Sequence, residues 1–173
     1  HIRQQLRHRC HQCERPDDQN GRRGQLRYRC SGGEHWHGSG FRHDQRQGGG
    51  GTYGIVAENS GKGATSITSN NLVAAGDGGI LALNSSANSA DLTVNVASVT
   101  AGAIGVFAAN QGTGITRVTV NGTVTGQTGG GIVVAGLVGP TEVINRGLIE
   151  GGQAAVSVDS GSASGSLIHN TAS

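Results

Sequence analysis

The chain has 173 residues, enough for one domain, but its 32 Gly, 2 Pro, no Met and 3% aromatic content lie far from ordinary globular usage. The formal charge of +2 hides an asymmetry: residues 1–50 carry ten Arg against five acids, whereas residues 51–173 carry Lys62, Arg117 and Arg146 against six acids. There is no run of eighteen apolar residues, which excludes a membrane-spanning helix on sequence grounds.

Residues 1–50 form a basic segment rich in Arg, His, Gln and Gly, with only three Val, Ile or Leu residues. So little apolar material cannot build a core, and the segment is expected to be disordered or irregular. Cys10 and Cys13 have metal-ligand spacing, with Cys30, His8, His11, His35 and His37 near them in sequence. A zinc site needs four such ligands and a fold to hold them, and neither requirement is met convincingly by one Cys-x-x-Cys and a lone third Cys. The Arg residues interleaved with Tyr28, Trp36 and Phe41 would suit single-stranded nucleic acid, but a solvated disordered tail is the favoured reading. A third reading is that the segment is an out-of-frame translation of more repeats, because Ala, Thr and Ser codons in GC-rich DNA yield Arg, His, Gln and Cys one base out of register.

Residues 51–173 contain 31 Val, Ile and Leu residues and repeat themselves. Gly-Ile or its equivalent falls at Gly54-Ile55, Gly79-Ile80, Gly105-Val106, Gly131-Ile132 and Ala155-Val156, at spacings of 25, 26, 26 and 24. Asparagines fall at Asn70, Asn95, Asn121, Asn145 and Asn170, at spacings of 25, 26, 24 and 25. A period near 25 with short Val/Ile/Thr-rich runs, ended by Gly and Asn, reads as strands and tight turns. The expected fold is all-β: a right-handed parallel β-helix of about five coils, one repeat per coil, roughly 24 Å long at the usual strand spacing.

In that fold Ile55, Ile80, Val106, Ile132 and Val156 stack as one interior ladder, with Ala57, Ala82, Ala108, Val134 and Val158 as a thinner second one. The Gly ahead of each strand leaves room for a turn. The asparagine column forms a corner ladder in which each amide donates to the next. Asp91 and Arg117 share a column and form an exposed pair, which Glu142 extends if its coil shifts by one residue. The outward column Val56, Leu81, Phe107, Val133 and Ser157 is covered by a neighbouring loop or by a parent chain; left bare, it is the contact surface.

The stretches "GIVAENSGKGATSITSNN", "GVFAANQGTGITRVTVNGTVTGQTGGGIVVAG" and "EVINRGLIEGGQAAVSV" resemble the passenger region of bacterial autotransporters, the pertactin-like or AIDA-like β-helix group, over about residues 51–173. The resemblance implies a secreted or surface-displayed β-helix, joined in the full protein to an outer-membrane β-barrel, with a structural or adhesive role toward a host or cell-surface ligand. It brings no shared catalytic residues, metal or cofactor. The signal peptide and barrel of the family are not seen, the chain does not begin with Met, and it stops mid-repeat at Ser173, so it reads as a fragment. A polysaccharide-active enzyme is the alternative. It needs carboxylates a few Å apart, whereas Glu58, Asp77, Asp91, Glu142, Glu150 and Asp159 scatter, and Glu58 and Asp159 share a column roughly 19 Å apart.

The coding DNA tests the origin of residues 1–50. An alternative frame encoding Gly-Ile and Asn repeats is the expected result if the segment is frame-shifted; their absence from both other frames ends that reading.

Overall fold

The computed structural model describes residues 27–30, 52–136, 138–160 and 165–171. They form an all-β parallel solenoid: among the described residues there is no helix, and every strand pairing is parallel.

Each turn of chain lays down three short strands, and equivalent strands of successive turns pair to make three faces. Face A is β2 (Tyr53–Asn59), β4 (Gly78–Asn84), β6 (Ile104–Asn110), β9 (Gly130–Gly136) and β12 (Ala154–Ser160), with β1 (Arg27–Cys30) paired to the outer side of β2. Face B begins with the first halves of β3 (Thr65–Ala75) and β5 (Leu92–Ala101) and continues through β7 (Thr116–Val120), β10 (Thr141–Asn145) and β13 (Ser166–Asn170). Face C takes the second halves of β3 and β5, then β8 (Thr123–Gly126) and β11 (Leu148–Gly151). The result is four complete turns, with face A and face B strands of a fifth. The expected five coils are thus four and part of another.

The interior is as narrow as the composition requires. Ile55, Ile80, Val106, Ile132 and Val156 lie in one register column, and Ala57, Ala82, Ala108, Val134 and Val158 in another, as the repeat spacing predicts. Face B contributes Ile67, Val94, Val118 and Val143, and face C contributes Val73, Val99 and Val124, all buried. Nearly every large core residue is Val or Ile, whose branched side chains suit a pleated, half-buried sheet.

The glycine column does something other than make a turn. Gly105 lies inside β6, where the chain swings from face C into face A. A β-carbon there would stand 2.5 Å from the Gly131 carbonyl oxygen and 2.6 Å from Val124 Cγ1. The missing side chain therefore lets the face C valine reach the corner of the core, and Gly54, Gly79 and Gly131 stand in the equivalent place on their own turns.

Turn lengths vary while the faces keep register. The A-to-B loop spans residues 60–64 in the first turn, 85–91 in the second and 111–115 in the third. In β3, Asn70 and Asn71 together oppose Ala97, a bulge that absorbs an extra residue at the B-to-C bend.

In residues 1–50, the strand at 27–30 is described, with Arg27 opposite Val56 and Arg29 opposite Glu58. The rest of that segment, including Cys10, Cys13, His8, His11, His35 and His37, lies outside the described residues.

The in/out alternation is testable. Ile132→Ala should lower the unfolding free energy by about 2–4 kcal/mol, whereas Phe107→Ala, one position out of phase on the neighbouring turn, should cost far less. Urea unfolding of both variants measures the difference; equal losses would contradict the alternation.

Candidate functional site

Three sets of side chains stand out on this frame: the corner asparagines, a charged column on face B and the outer side of face A.

At the A-to-B corner, Asn59, Asn84 and Asn110 end β2, β4 and β6 in strict register, and all three are buried. They do not bond one another. Asn110 Oδ1 accepts the Gly112 N–H at 2.9 Å, and its Nδ2 donates to the Gly114 carbonyl at 3.2 Å and to the Ala90 carbonyl of the preceding loop at 3.1 Å. Asn59 does the same over "NSGKG", accepting from Gly61 N–H and donating to Gly63 O, both at 2.8 Å. Asn84 Oδ1 accepts the Thr65 hydroxyl at 2.5 Å, and Nδ2 donates to Ala90 and Asp91 carbonyls at 3.3 and 3.4 Å. Each amide folds the loop that follows it, supplying to buried backbone the partners that water cannot. The column lapses at Gly136, which registers with Asn110. Thr116 is placed toward Gly136 as Thr65 is toward Asn84, and the buried hydroxyls of Thr116 and Thr141 have no partner among the described residues.

The asparagine column expected from the 25-residue spacing is not one column. Asn70 sits in the exposed bulge of β3. Asn95 registers with Thr119, and Asn145 with Val120. Two amide-to-amide bonds do form: Asn121 Nδ2 donates to Asn95 Oδ1 at 2.7 Å, reaching across the register, and Asn145 Nδ2 donates to Asn170 Oδ1 at 3.1 Å. Arg146 Nη1 donates to Asn121 Oδ1 at 3.1 Å in place of a further asparagine. Near-constant spacing along the chain masks register drift, because longer and shorter loops compensate one another. The true ladder, Asn59-Asn84-Asn110, was legible as the last letter of "GIVAEN", "GILALN" and "GVFAAN", four residues after each core Ile or Val.

The charge pair on face B also differs from expectation. Arg117 registers with Glu142 without any shift, and Arg117 Nε meets Glu142 Oε2 at 2.5 Å. Asp91 is not its partner; Asp91 Oδ1 accepts the Ile115 N–H at 3.0 Å and caps the next turn's loop. The seven-residue loop 85–91 displaces Asp91 from the Arg117 column. Glu150 accepts the Thr125 hydroxyl at 3.3 Å. Glu58 and Asp159 do share one column, at its two ends with three turns between them.

The outer side of face A is apolar. Val56, Leu81, Phe107 and Val133 run in register down the face, followed by Ser157. The next outward column is Glu58, Leu83, Ala109, Ala135 and Asp159. On the three central turns both columns are half-buried, between fully buried inward residues. Every substantial strand packing of face A is with its own neighbours or across the core, so no described strand covers this side. Faces B and C turn mostly polar side chains outward, Ser66, Thr93, Arg117 and Glu142, and Ser98, Thr100, Thr123 and Thr125, with Ile144, Leu72 and Leu148 as apolar exceptions.

Among the described residues no three His, Cys, Asp or Glu side chains converge as a metal site would require. No helix there is long and apolar enough to cross a membrane.

Asn110→Ala strands the Gly112 N–H and the Gly114 carbonyl, while the Ala90 carbonyl keeps its bond from Asn84, and should cost about 2–3 kcal/mol. Arg117→Ala removes a half-exposed ion pair and should cost at most about 1 kcal/mol. Denaturant midpoints of the two variants test that order. Comparison with known proteins finds no family model, no curated relative and no solved structure that matches this chain.

Proposed function

We propose that this chain is a structural or adhesive stretch of a secreted or surface-displayed autotransporter passenger, without catalysis of its own. The observation that carries the reading is the unbroken register of face A. Five successive strands keep like residue over like residue from Ile55 to Val156, which makes a stiff stack rather than a hollow vessel. A stack of this kind lengthens by adding turns, and its function is to hold surfaces away from an anchor. In the full-length parent that anchor is an outer-membrane β-barrel, and the localisation is the cell surface or the medium beyond it. A host or cell-surface ligand is met through an outward face of the solenoid.

The side-chain chemistry supports a structural role over polysaccharide cleavage. Glu142 is held by Arg117, Asp91 by a backbone N–H, and Glu150 by Thr125. Glu58 and Asp159 are separated by four rung spacings, roughly 19 Å, against the 5–9.5 Å or so that paired glycosidase carboxylates span.

The flanking DNA tests this reading. An in-frame downstream region encoding alternating strands of an outer-membrane barrel is expected; a stop codon followed by no such region would overturn it. Display provides a second readout. Fused between a signal peptide and an autotransporter barrel, the chain should reach the cell surface and be shaved by added protease, and retention inside the cell would count against the proposal.

A further inference from the structure

We infer that Asn121 is a self-modification site: the backbone nitrogen of Gly122 closes on its side-chain carbonyl, expels ammonia and leaves aspartate and isoaspartate at the B-to-C corner. The inference rests on the fold alone, not on secretion or on the identity of the parent.

The first observation is an unoccupied nucleophile. Ring closure needs the N–H of the residue after an asparagine, and the solenoid ties up most of these. After Asn84 the Ser85 N–H donates to the Asn59 carbonyl, after Asn110 the Gln111 N–H donates to the Asn84 carbonyl, and after Asn145 the Arg146 N–H donates to the Val120 carbonyl, each at 2.9 Å. After the exposed Asn88 the Ser89 N–H donates to the Ser86 carbonyl at 3.0 Å. Asn121 stands one residue beyond the end of β7, so its own N–H makes the rung bond, to the Val96 carbonyl at 2.9 Å. The next N–H, that of Gly122, has no acceptor among the described residues. One turn on, Gly147 holds the equivalent place and gives its N–H to Asn145 Oδ1 at 3.0 Å. The residue that registers with Asn145 is Val120, whose side chain cannot accept.

The second observation is unhindered approach. A β-carbon at residue 122 would collide with the Ala97 carbonyl oxygen of the turn before, so the stack itself demands glycine there. The attacking nitrogen is therefore the least crowded that a chain can offer. Asn121 is exposed, so water reaches the reacting bond.

The third is a prepared electrophile. Arg146 Nη1 donates to Asn121 Oδ1 at 3.1 Å. Negative charge gathers on that oxygen as the Gly122 nitrogen attacks Cγ, and the guanidinium already stands where it develops. The N–Cγ bond forms, the Gly122 proton passes to hydroxide, and the Cγ–Nδ2 bond breaks as water protonates the departing nitrogen, which leaves as ammonia. Water then opens the succinimide at either carbonyl. One product is aspartate, whose carboxylate faces Arg146. The other is isoaspartate, which adds a methylene to the main chain at a corner where Asn121 and Gly122 bond the turns on either side.

Peptide mass spectrometry with electron-transfer fragmentation tests this on the full chain, incubated for several days at mildly alkaline pH. A gain of about one dalton at Asn121 is expected, divided between aspartate and isoaspartate. Its rate should rise with hydroxide, while Asn84, Asn88, Asn110 and Asn145 keep their amides. Asn121→Gln should abolish the gain. Arg146→Ala should slow it by about fivefold, the worth of one exposed ionic contact, and Arg146→Lys should recover most of the rate. The same chain unfolded in urea gives the rate without the fold, which the folded rate should equal or exceed. An Asn121 that keeps its amide overturns the proposal. So does a folded rate about tenfold or more below the unfolded one, since the fold then protects the bond. An Arg146→Ala chain that reacts as fast as the wild type, or faster, also overturns it, because Arg146 then only props the corner.

Discussion

Backbone hydrogen bonds between successive laps of chain hold this molecule together, and they run along its axis rather than across it. They form only if each lap retraces the last, and that single demand selects the residues. The interior admits one Ile or Val and a second residue no larger than valine per strand of face A. Where the chain turns from face C into face A it admits no side chain at all, because the space belongs to Val73, Val99, Val124 or Ile149. A core so thin gains little from any one side chain, so most of its stability lies between neighbouring turns.

The apolar ladders were legible in the sequence because their period survives every change of loop length. Ile55 through Val156 and Ala57 through Val158 needed only counting. The polar pairings of face B and its corners were not, and the reason is geometric. Loop 85–91 is two residues longer than its neighbours, and β3 carries a two-residue bulge, so residues equally spaced along the chain drift by one or two positions in space. Asn95 and Asn121 touch across that drift, whereas Asp91 loses Arg117 because of it. The asparagines that matter most to the fold, 59, 84 and 110, belong to the face whose period is undisturbed.

Those asparagines also show how the solenoid meets the usual cost of corners. A tight bend leaves N–H and carbonyl groups pointing nowhere, and a buried amide is one side chain that can both accept and donate within a single turn. The arrangement costs the chain an interior position on each lap. Where Gly136 gives that position up, Thr116 lacks the amide partner that its counterpart Thr65 keeps. Face A, by contrast, keeps the outward positions of its three central turns apolar, whereas the other two faces set mostly hydroxyls and ions there.

Ile168 stands in the same core column as Val143 yet is 53% exposed, since no described turn lies above it. When cohesion resides between nearest neighbours, each layer is only as secure as the contacts on its two sides, so a substitution in one lap is felt mainly by the laps directly above and below it and leaves distant laps intact.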